Sequence, residues 1–303
     1  MIRQTAKEQL HERNRFRAGY DFARLVARSP RLSRFVGPNA YGDLSIDYAN
    51  PAAVKALNQA LLKDAYGINT WDVPPGYLCP PIPGRSDYLH RIADLPGVGA
   101  ARGARRQPVH VLDIGTGANC IYPLIGAREY GWHFVGTDVD RVALEWAKNL
   151  VAANPPLPEL IELRWQASRQ ACFDGVVKPG ETFGLSMCNP PFHASAAAAA
   201  AGSRRKQHNL GQARSGSSRL NFGGQAGELW CDGGELAFVR RMIAESASRP
   251  GLCRWFTTLV SKSDHLPALR RALETANAAD VQVLDMAQGQ KKSRILAWTF
   301  ARR

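Results

Sequence analysis

The sequence lacks any run of about 18 apolar residues, which excludes a predicted membrane-spanning helix. Cations crowd its first segment and no apolar stretch follows them, so we expect no signal peptide and a cytoplasmic location. Acidic residues are also few. The 303 residues contain 26 Asp and Glu against 39 Lys and Arg.

Metal-binding and disulfide patterns are missing as well. None of the six cysteines belongs to a C-x-x-C pair or has a histidine partner at zinc spacing, so we expect reduced thiols and no metal site. They are Cys79, Cys120, Cys172, Cys188, Cys231 and Cys253.

The excess of basic residues predicts a polyanionic partner. The net charge is +13 and the sequence pI is about 9.8. Residues 1–34 carry nine cations and three acids, a net of +6 in about a ninth of the chain. Lys and Arg bind nucleic acid by releasing counterions from its phosphates, and clustering favours this interpretation over a generally basic protein.

The chain divides into two predicted parts. Residues 1–95 contain an amphipathic helix over 51–65 and a proline-rich stretch over 71–85 that should be a rigid, extended connector. A Gly- and Arg-rich linker over 96–108 follows. We therefore expect a small, mainly helical module over 1–95 and a second domain over 96–303.

The second part alternates strands and helices, which predicts an α/β, Rossmann-like fold with a doubly wound, mostly parallel sheet and an antiparallel hairpin at its edge. Strands are expected over 109–114, 133–139, 160–165, 182–188, 252–260, 280–286 and 293–300, and helices over 120–131, 141–154, 234–247 and 264–277.

A glycine-containing turn follows the first of these strands. In "DIGTGAN" (113–119), Gly115 and Gly117 would let the backbone approach a ligand at a helix N-terminus. The third glycine of G-x-G-x-x-G is absent, because Cys120 stands at its position. This departure favours S-adenosylmethionine over NAD, since S-adenosylmethionine has no pyrophosphate.

Carboxylates flank this turn. Asp138 ends the second strand, 23 residues after Gly115, and is predicted to accept hydrogen bonds from the ribose hydroxyls of the cofactor. Asp140 fits a helix N-cap better. Asp113 is expected to fix the glycine turn or the methionine amine of the cofactor.

The fourth strand leads into "NPPF" (189–192). An exocyclic amine of adenine is a weak nucleophile, and two acceptors, the side-chain carbonyl of Asn189 and the backbone carbonyl of Pro190, would hold its protons. Pro190 and Pro191 would keep the turn rigid, and Phe192 would stack on an unstacked base. This chemistry needs no strong base, so we interpret His193 as a solvated loop residue.

The next segment, 194–225, combines an alanine run with glycine, serine and a basic triplet. It is predicted to be a mobile loop that overhangs the NPPF turn, with a plain linker insertion as the alternative.

On these motifs, nearly the whole chain resembles the bacterial 23S ribosomal RNA adenine-N6-methyltransferases, whose eukaryotic relatives, the methyltransferase-like enzymes, modify adenine in a small nuclear RNA. The segments that carry the resemblance include "LHERNRFRAGYDF" (10–22), "WDVPPGYLCPPIPGRSDYLH" (71–90), "LDIGTGANCIYPLIGA" (112–127), "CNPPFH" (188–193) and "QGQKKSRILAW" (288–298).

The resemblance implies a class I methyltransferase that uses S-adenosylmethionine and acts on 23S ribosomal RNA or a large-subunit precursor. We expect a monomer, although no residue pattern specifies the oligomeric state. The resemblance also implies cofactor contacts by Arg85, Gly115, Asp138, Asn189 and Gln170. RNA contacts are expected from Arg13, Arg15 and Arg17 in the first module, from Arg204, Arg205 and Lys206, and from Lys291 and Lys292. A solvated hairpin is the alternative for the last pair. The alanine run 196–201 replaces the usual basic loop.

Two other functions stay open from the sequence. A protein glutamine methyltransferase would use a similar N-P-P turn, but Tyr is usual in that group at the position of Phe192. A non-catalytic RNA-binding protein on the same fold is opposed by the intact Gly115, Gly117, Asp138 and Asn189.

Overall fold

A seven-stranded sheet forms the centre of the computed structural model, which describes residues 10–98, 108–193, 230–288 and 291–302. The strand order is β5-β4-β3-β6-β7-β9-β8. The strands are β3 (His110–Ile114), β4 (His133–Asp138), β5 (Ile161–Trp165), β6 (Phe183–Cys188), β7 (Cys253–Val260), β8 (Asp280–Gln288) and β9 (Lys291–Thr299).

The first five of these strands run parallel, whereas β9 is antiparallel to both β7 and β8. The hairpin of β8 and β9 therefore closes one edge, with β9 inserted beside β7. This confirms the predicted doubly wound sheet with an antiparallel edge hairpin.

Helices cover both faces of the sheet. The helices are α1 (Phe22–Arg28), α2 (Pro51–Tyr66), α3 (Ile82–Ala93), α4 (Ile121–Tyr130), α5 (Arg141–Ala152), α6 (Gly234–Ala247) and α7 (Leu266–Thr275). Alternate strand residues point to opposite faces, so neighbours such as Val111 and Leu112 enter different hydrophobic clusters. Helices α6 and α7 pack with one cluster and α2 to α5 with the other.

Local signals explain where the helices begin and end. The Asn50 side chain accepts from the N–H groups of Ala52 and Ala53 at the start of α2, and Gly67 ends that helix in the left-handed region at φ +64°. Asp140 caps α5 in the same way, which confirms the prediction for this residue.

The N-terminal part shares its core with the sheet. Phe16, Leu25 and Leu32 are buried in the same cluster as Val111 and Leu185 of the central strands. A short hairpin of β1 (Val36–Pro38) and β2 (Leu44–Ile46) follows α1. The division into 1–95 and 96–303 stays a prediction, and the hydrophobic core runs across it.

Two predicted boundaries are wrong. The connector predicted over 71–85 ends at Pro81, because α3 starts at Ile82 and Pro83 falls in its first turn, where a missing N–H breaks no helical hydrogen bond. Lys291 and Lys292, expected in a turn, pair with Gln288 and Ala287 within the β8–β9 ladder. Most of the predicted linker and the predicted loop over 194–225 lie outside the described residues.

In the parts of the chain that the structure describes, no helix is both long and apolar enough to cross a membrane. All six cysteine thiols are free.

Candidate active site

The glycine turn and the NPPF turn meet at one edge of the sheet. Strands β3 and β6 are parallel neighbours in which Ile114 pairs with Cys188. Each strand ends at that residue, so Gly115 and Asn189 leave the sheet side by side at its carboxyl edge. This is the edge where open α/β sheets bind ligands.

The glycine turn is tied to the neighbouring strand. The N–H groups of Gly115 and Thr116 both donate to the Thr137 carbonyl at 2.9 Å. Gly115 has φ +73° and Gly117 has φ +66°, a region that favours glycine. A Cβ at Gly115 would meet no atom within 4 Å, so the backbone angle and not crowding requires glycine here.

Asp138 closes the turn from β4. Its carboxylate accepts from the Gly117 N–H at 2.8 Å and from the Asp140 N–H at 2.9 Å. Burial raises the pKa of this half-buried carboxyl, while the two backbone donors lower it. Asp140 in turn accepts a hydrogen bond from the Tyr77 hydroxyl at 2.7 Å. Asp138 therefore holds the glycine turn in place.

Two buried groups of opposite charge lie beside this turn without a direct hydrogen bond between them. Both carboxylate oxygens of Asp113 and the Nε of Arg85 are buried and have no hydrogen-bond partner among the residues that the structure describes. Burial and the charge of Asp138 raise the pKa of Asp113 to about 7, while the side chain of Thr116 and the nearby Arg85 guanidinium lower it. Buried polar groups are rarely left unpaired. An unpaired carboxylate and an unpaired guanidinium N–H fit a ligand that carries both an ammonium and a carboxylate, as methionine derivatives do.

Arg85 is held from the first turn of α3. Its Nη1 donates to the Tyr122 hydroxyl at 2.6 Å, and the guanidinium carbon lies 5.4 Å from the centre of the same ring. Tyr122 stands in the first turn of α4, directly after the glycine turn. This pair connects the N-terminal part of the chain to the edge of the sheet.

The NPPF turn holds a buried acceptor without a partner. The Asn189 Oδ1 has no hydrogen bond with any residue that the structure describes. Pro190 is buried, whereas Phe192 is only partly buried and lies outside the hydrophobic clusters. The turn ends at His193, whose carbonyl accepts from the Cys231 N–H at 3.1 Å.

Tyr88 of α3 supports the strand that enters this turn. Its hydroxyl accepts from the Cys188 N–H at 3.4 Å and lies 2.8 Å from the Thr257 hydroxyl on β7. The Tyr88 ring packs edge-on against Tyr122, with centroids 5.5 Å apart. The tyrosine pair thus links Arg85 and the glycine turn to the strand that leads into the NPPF turn.

Sequence reasoning missed Tyr88, Tyr122 and Trp230. Trp230 pairs with His193 in an isolated bridge, and its buried indole N–H has no acceptor among the described residues. No local sequence pattern indicates these residues, because the partners that they contact lie 34 to 169 residues away along the chain.

Other predicted residues are not brought together here. Gln170 is exposed in the loop after β5, where its N–H donates to Ser168. Arg13 is engaged inside the protein, since Nη2 donates to the His90 carbonyl at 2.9 Å and to Asp94 at 2.6 Å.

Arg15 forms an ion pair within the protein, but Arg17 does not pair with any described residue. Arg15 pairs with Glu129 at 2.9 Å, whereas Arg17 is exposed and has no ion pair within the described ranges. Arg204, Arg205 and Lys206 lie outside those ranges. For Lys291 and Lys292 the structure describes the backbone only. Across 10–98, 108–193, 230–288 and 291–302, no group of three metal-ligating side chains could hold a metal ion.

A family model described as RNA methyltransferase matches residues 4–302. The chain belongs to this RNA methyltransferase family. It is 56% identical to ribosomal RNA large subunit methyltransferase F of Methylobacillus flagellatus, over 97% of this chain and 92% of that protein. The protein of the same name from Pseudomonas aeruginosa strain UCBPP-PA14 is 54% identical, over 96% of this chain and 88% of the relative.

Solved structures of family relatives share the fold. The hMettl16 catalytic domain in complex with MAT2A 3′UTR hairpin 1 has a TM-score of 0.80 and 32% identity, covering 97% of this chain and 96% of that chain. The N-terminal domain of human METTL16 in complex with SAH has a TM-score of 0.77 and 29% identity, covering 96% and 99%. Family membership confirms the predicted resemblance and the methyltransferase fold.

Proposed function

We propose that this protein transfers a methyl group from S-adenosylmethionine to the exocyclic N6 of a specific adenine in 23S ribosomal RNA. The observation that carries the proposal is the buried, unpaired Oδ1 of Asn189, which emerges beside the glycine turn. The names of the relatives, ribosomal RNA large subunit methyltransferase F, support the substrate. A monomer and 23S RNA or its precursor as partner are part of the same proposal.

The cofactor residues follow from the unpaired groups and the turn. Asp113 would bind the ammonium of the methionine moiety and Arg85 its carboxylate, since each has an unpaired buried atom. Gly115 and Gly117 shape the turn, and Asp138 would bind the ribose with its remaining lone pairs. The bound cofactor supplies an electrophilic methyl group. Gln170 is a further contact that rests on the family resemblance alone.

The target amine would be held by acceptors and not by a base. Asn189 Oδ1 and the Pro190 carbonyl can accept hydrogen bonds from the two N–H groups of adenine N6. The nitrogen lone pair then stays free to attack the methyl group. Pro190 and Pro191 fix these acceptors, because neither residue can rotate about φ. Phe192, partly buried at the end of the turn, would stack on the base.

The RNA-binding surface would include residues 1–95, as the charge clustering predicted. Among the cations there, Arg17, Arg31 and Arg34 are exposed and have no ion pair with a described residue. Arg13 forms an ion pair with Asp94 and would thereby hold this part of the RNA-binding surface in place. Deletion of residues 1–34 is a poor test of this surface, since Leu25 and Leu32 belong to the core.

Substitutions in the NPPF turn test the proposed function. Phe192→Ala should retain S-adenosylmethionine binding by calorimetry, and Asn189→Ala should leave it largely intact, with at most a modest loss, since the resemblance also gives Asn189 a cofactor contact. Methyl transfer to 23S RNA should fall about 100-fold or more in both variants, because each removes a group that acts on the target base. Phe192→Tyr is the matched control and should keep most activity, since it keeps a stacking ring. Undiminished turnover in both alanine variants would contradict the assignment, and methylation of a protein glutamine instead of RNA would favour the alternative enzyme.

A further inference from the structure

A buried carboxylate next to the NPPF turn fixes a loop that no motif pointed to. Glu235 lies in the first turn of α6 and is 1% exposed. It accepts from the Ser261 N–H at 2.7 Å, from the Lys262 N–H at 3.4 Å and from the His265 ring at 2.7 Å. His265 donates from Nδ1, because a carboxylate can only accept. Three donors converge on one side chain and define the path of residues 261–265.

This loop emerges at the edge of the sheet that carries the NPPF turn. Strand β7 runs parallel to β6, with Ser186 opposite Phe256. Strand β6 ends at Cys188 and β7 ends at Val260, so Asn189 and Ser261 both leave the sheet at its carboxyl edge. The entry to α6 is tied to the same turn, since Cys231 donates to the His193 carbonyl. Glu235 therefore joins the NPPF turn and the 261–265 loop into one wall.

Lys262 is the cation that this wall presents. Its side chain is exposed and has no ion pair or hydrogen bond with any residue that the structure describes. Its backbone, by contrast, is held by Glu235. The Lys262 ammonium is thus unpaired, its backbone is fixed, and it lies at the rim of the proposed nucleotide site. Such a group is suited to bind a phosphate, because Lys binds phosphate as a point charge.

We propose that Lys262 binds an RNA phosphate adjacent to the target adenine and that Glu235 is the positioning residue that places it there. This inference rests on the proposed function. The excess positive charge of the chain, +13, favours RNA as the source of the phosphate.

The same helix offers a matched control. Glu245 of α6 also accepts three backbone N–H groups, from Cys172, Phe173 and Asp174. It lies ten residues further along, about 15 Å at the helical rise, towards the opposite edge of the sheet. Glu235→Gln and Glu245→Gln thus remove the same kind of interaction from one helix, near the site and far from it.

The test compares three variants of the full chain in methylation kinetics and in RNA binding across a salt series. Lys262→Ala should weaken RNA binding about fivefold and reduce the slope of log affinity against log salt by about 0.7, the value for one phosphate contact to a single strand. Glu235→Gln should raise KM for RNA about fivefold and leave S-adenosylmethionine affinity unchanged. Glu245→Gln should lower stability without moving KM for RNA or the salt slope.

Two results would overturn the inference. One is a Lys262→Ala variant with the salt slope and RNA affinity of the wild type. The other is an equal change of KM for RNA in Glu235→Gln and Glu245→Gln, which would reduce Glu235 to a general stabilising role. These results can be distinguished from a failure of the proposed function, because in that case the wild-type protein itself would not methylate RNA.

Discussion

Replacement of Asp113 by Asn should remove a pH dependence from the stability of the cofactor-free protein. Asp113 is completely buried, and neither carboxylate oxygen has a hydrogen-bond partner among the described residues. Burial and the charge of Asp138 raise its pKa from 3.8 to about 7, against the side chain of Thr116 and the Arg85 guanidinium, which lower it. Asn has nearly the same shape and does not ionise, so it isolates the effect of this one proton.

The sign follows from the raised pKa. Between pH 4 and pH 7 the native protein keeps a proton on Asp113 that the unfolded chain has released. The free energy of unfolding therefore falls as the pH rises, by about 1.4 kcal/mol per pH unit for this group. Over the whole interval the loss is about 4 kcal/mol, and it is complete above the native pKa.

Urea unfolding at several pH values between 5 and 8.5 measures how much Asp113 contributes to the pH dependence of the free energy of unfolding. The free energy of unfolding of Asp113→Asn, minus that of the wild type, should become more positive with pH and level off above pH 7. Asp138, whose pKa burial also raises, is present in both proteins and contributes to both curves. Parallel curves for the two proteins would refute the reasoning that Asp113 is buried and unpaired.

Three further predictions follow from individual contacts. Asp138→Ala should weaken S-adenosylmethionine binding by about 1–3 kcal/mol in calorimetry, as expected for a lost charged hydrogen-bond partner, and unchanged affinity would remove it from the site. Tyr88→Phe should lower the free energy of unfolding by about 1 kcal/mol, because the buried Thr257 hydroxyl, 2.8 Å away, loses one hydrogen bond and keeps only the one that it donates to the Ser186 carbonyl; an unchanged urea midpoint would contradict this. The double variant Arg17→Gln, Arg34→Gln should reduce the salt slope of RNA binding by about 1 to 2 with stability preserved, since neither exposed side chain has an ion pair within the described ranges; a wild-type slope would exclude this surface as an RNA contact.

The strands at the site could be predicted from the sequence because they depend on local patterns. Strand β6 was expected over 182–188 and spans 183–188, and α2 was expected over 51–65 and spans 51–66. The buried strands are short, mostly apolar runs that end at turn residues such as Gly115 and Asn189, and the helix has its own cap signals. Parallel strands then bring their carboxyl ends together, so Gly115 and Asn189 could be expected at the same edge of the sheet.

Two features could not be predicted, because they depend on contacts between distant segments. The prolines of 71–85 indicated an extended chain, yet packing lets a helix begin at Ile82 and so brings Arg85 to Tyr122, 37 residues away. Composition likewise predicts Arg13 as an RNA contact, but it does not reveal that Asp94, 81 residues away, pairs with this arginine. Charge counts do not reveal which cations are paired inside the folded protein.

The most direct test of the central claim is a map of N6-methyladenosine in 23S ribosomal RNA from cells with and without this gene. The account predicts that one adenine loses its methyl group when the gene is absent, that the wild-type gene restores it, and that the Asn189→Ala gene does not. An identical methylation map in both kinds of cell would contradict it.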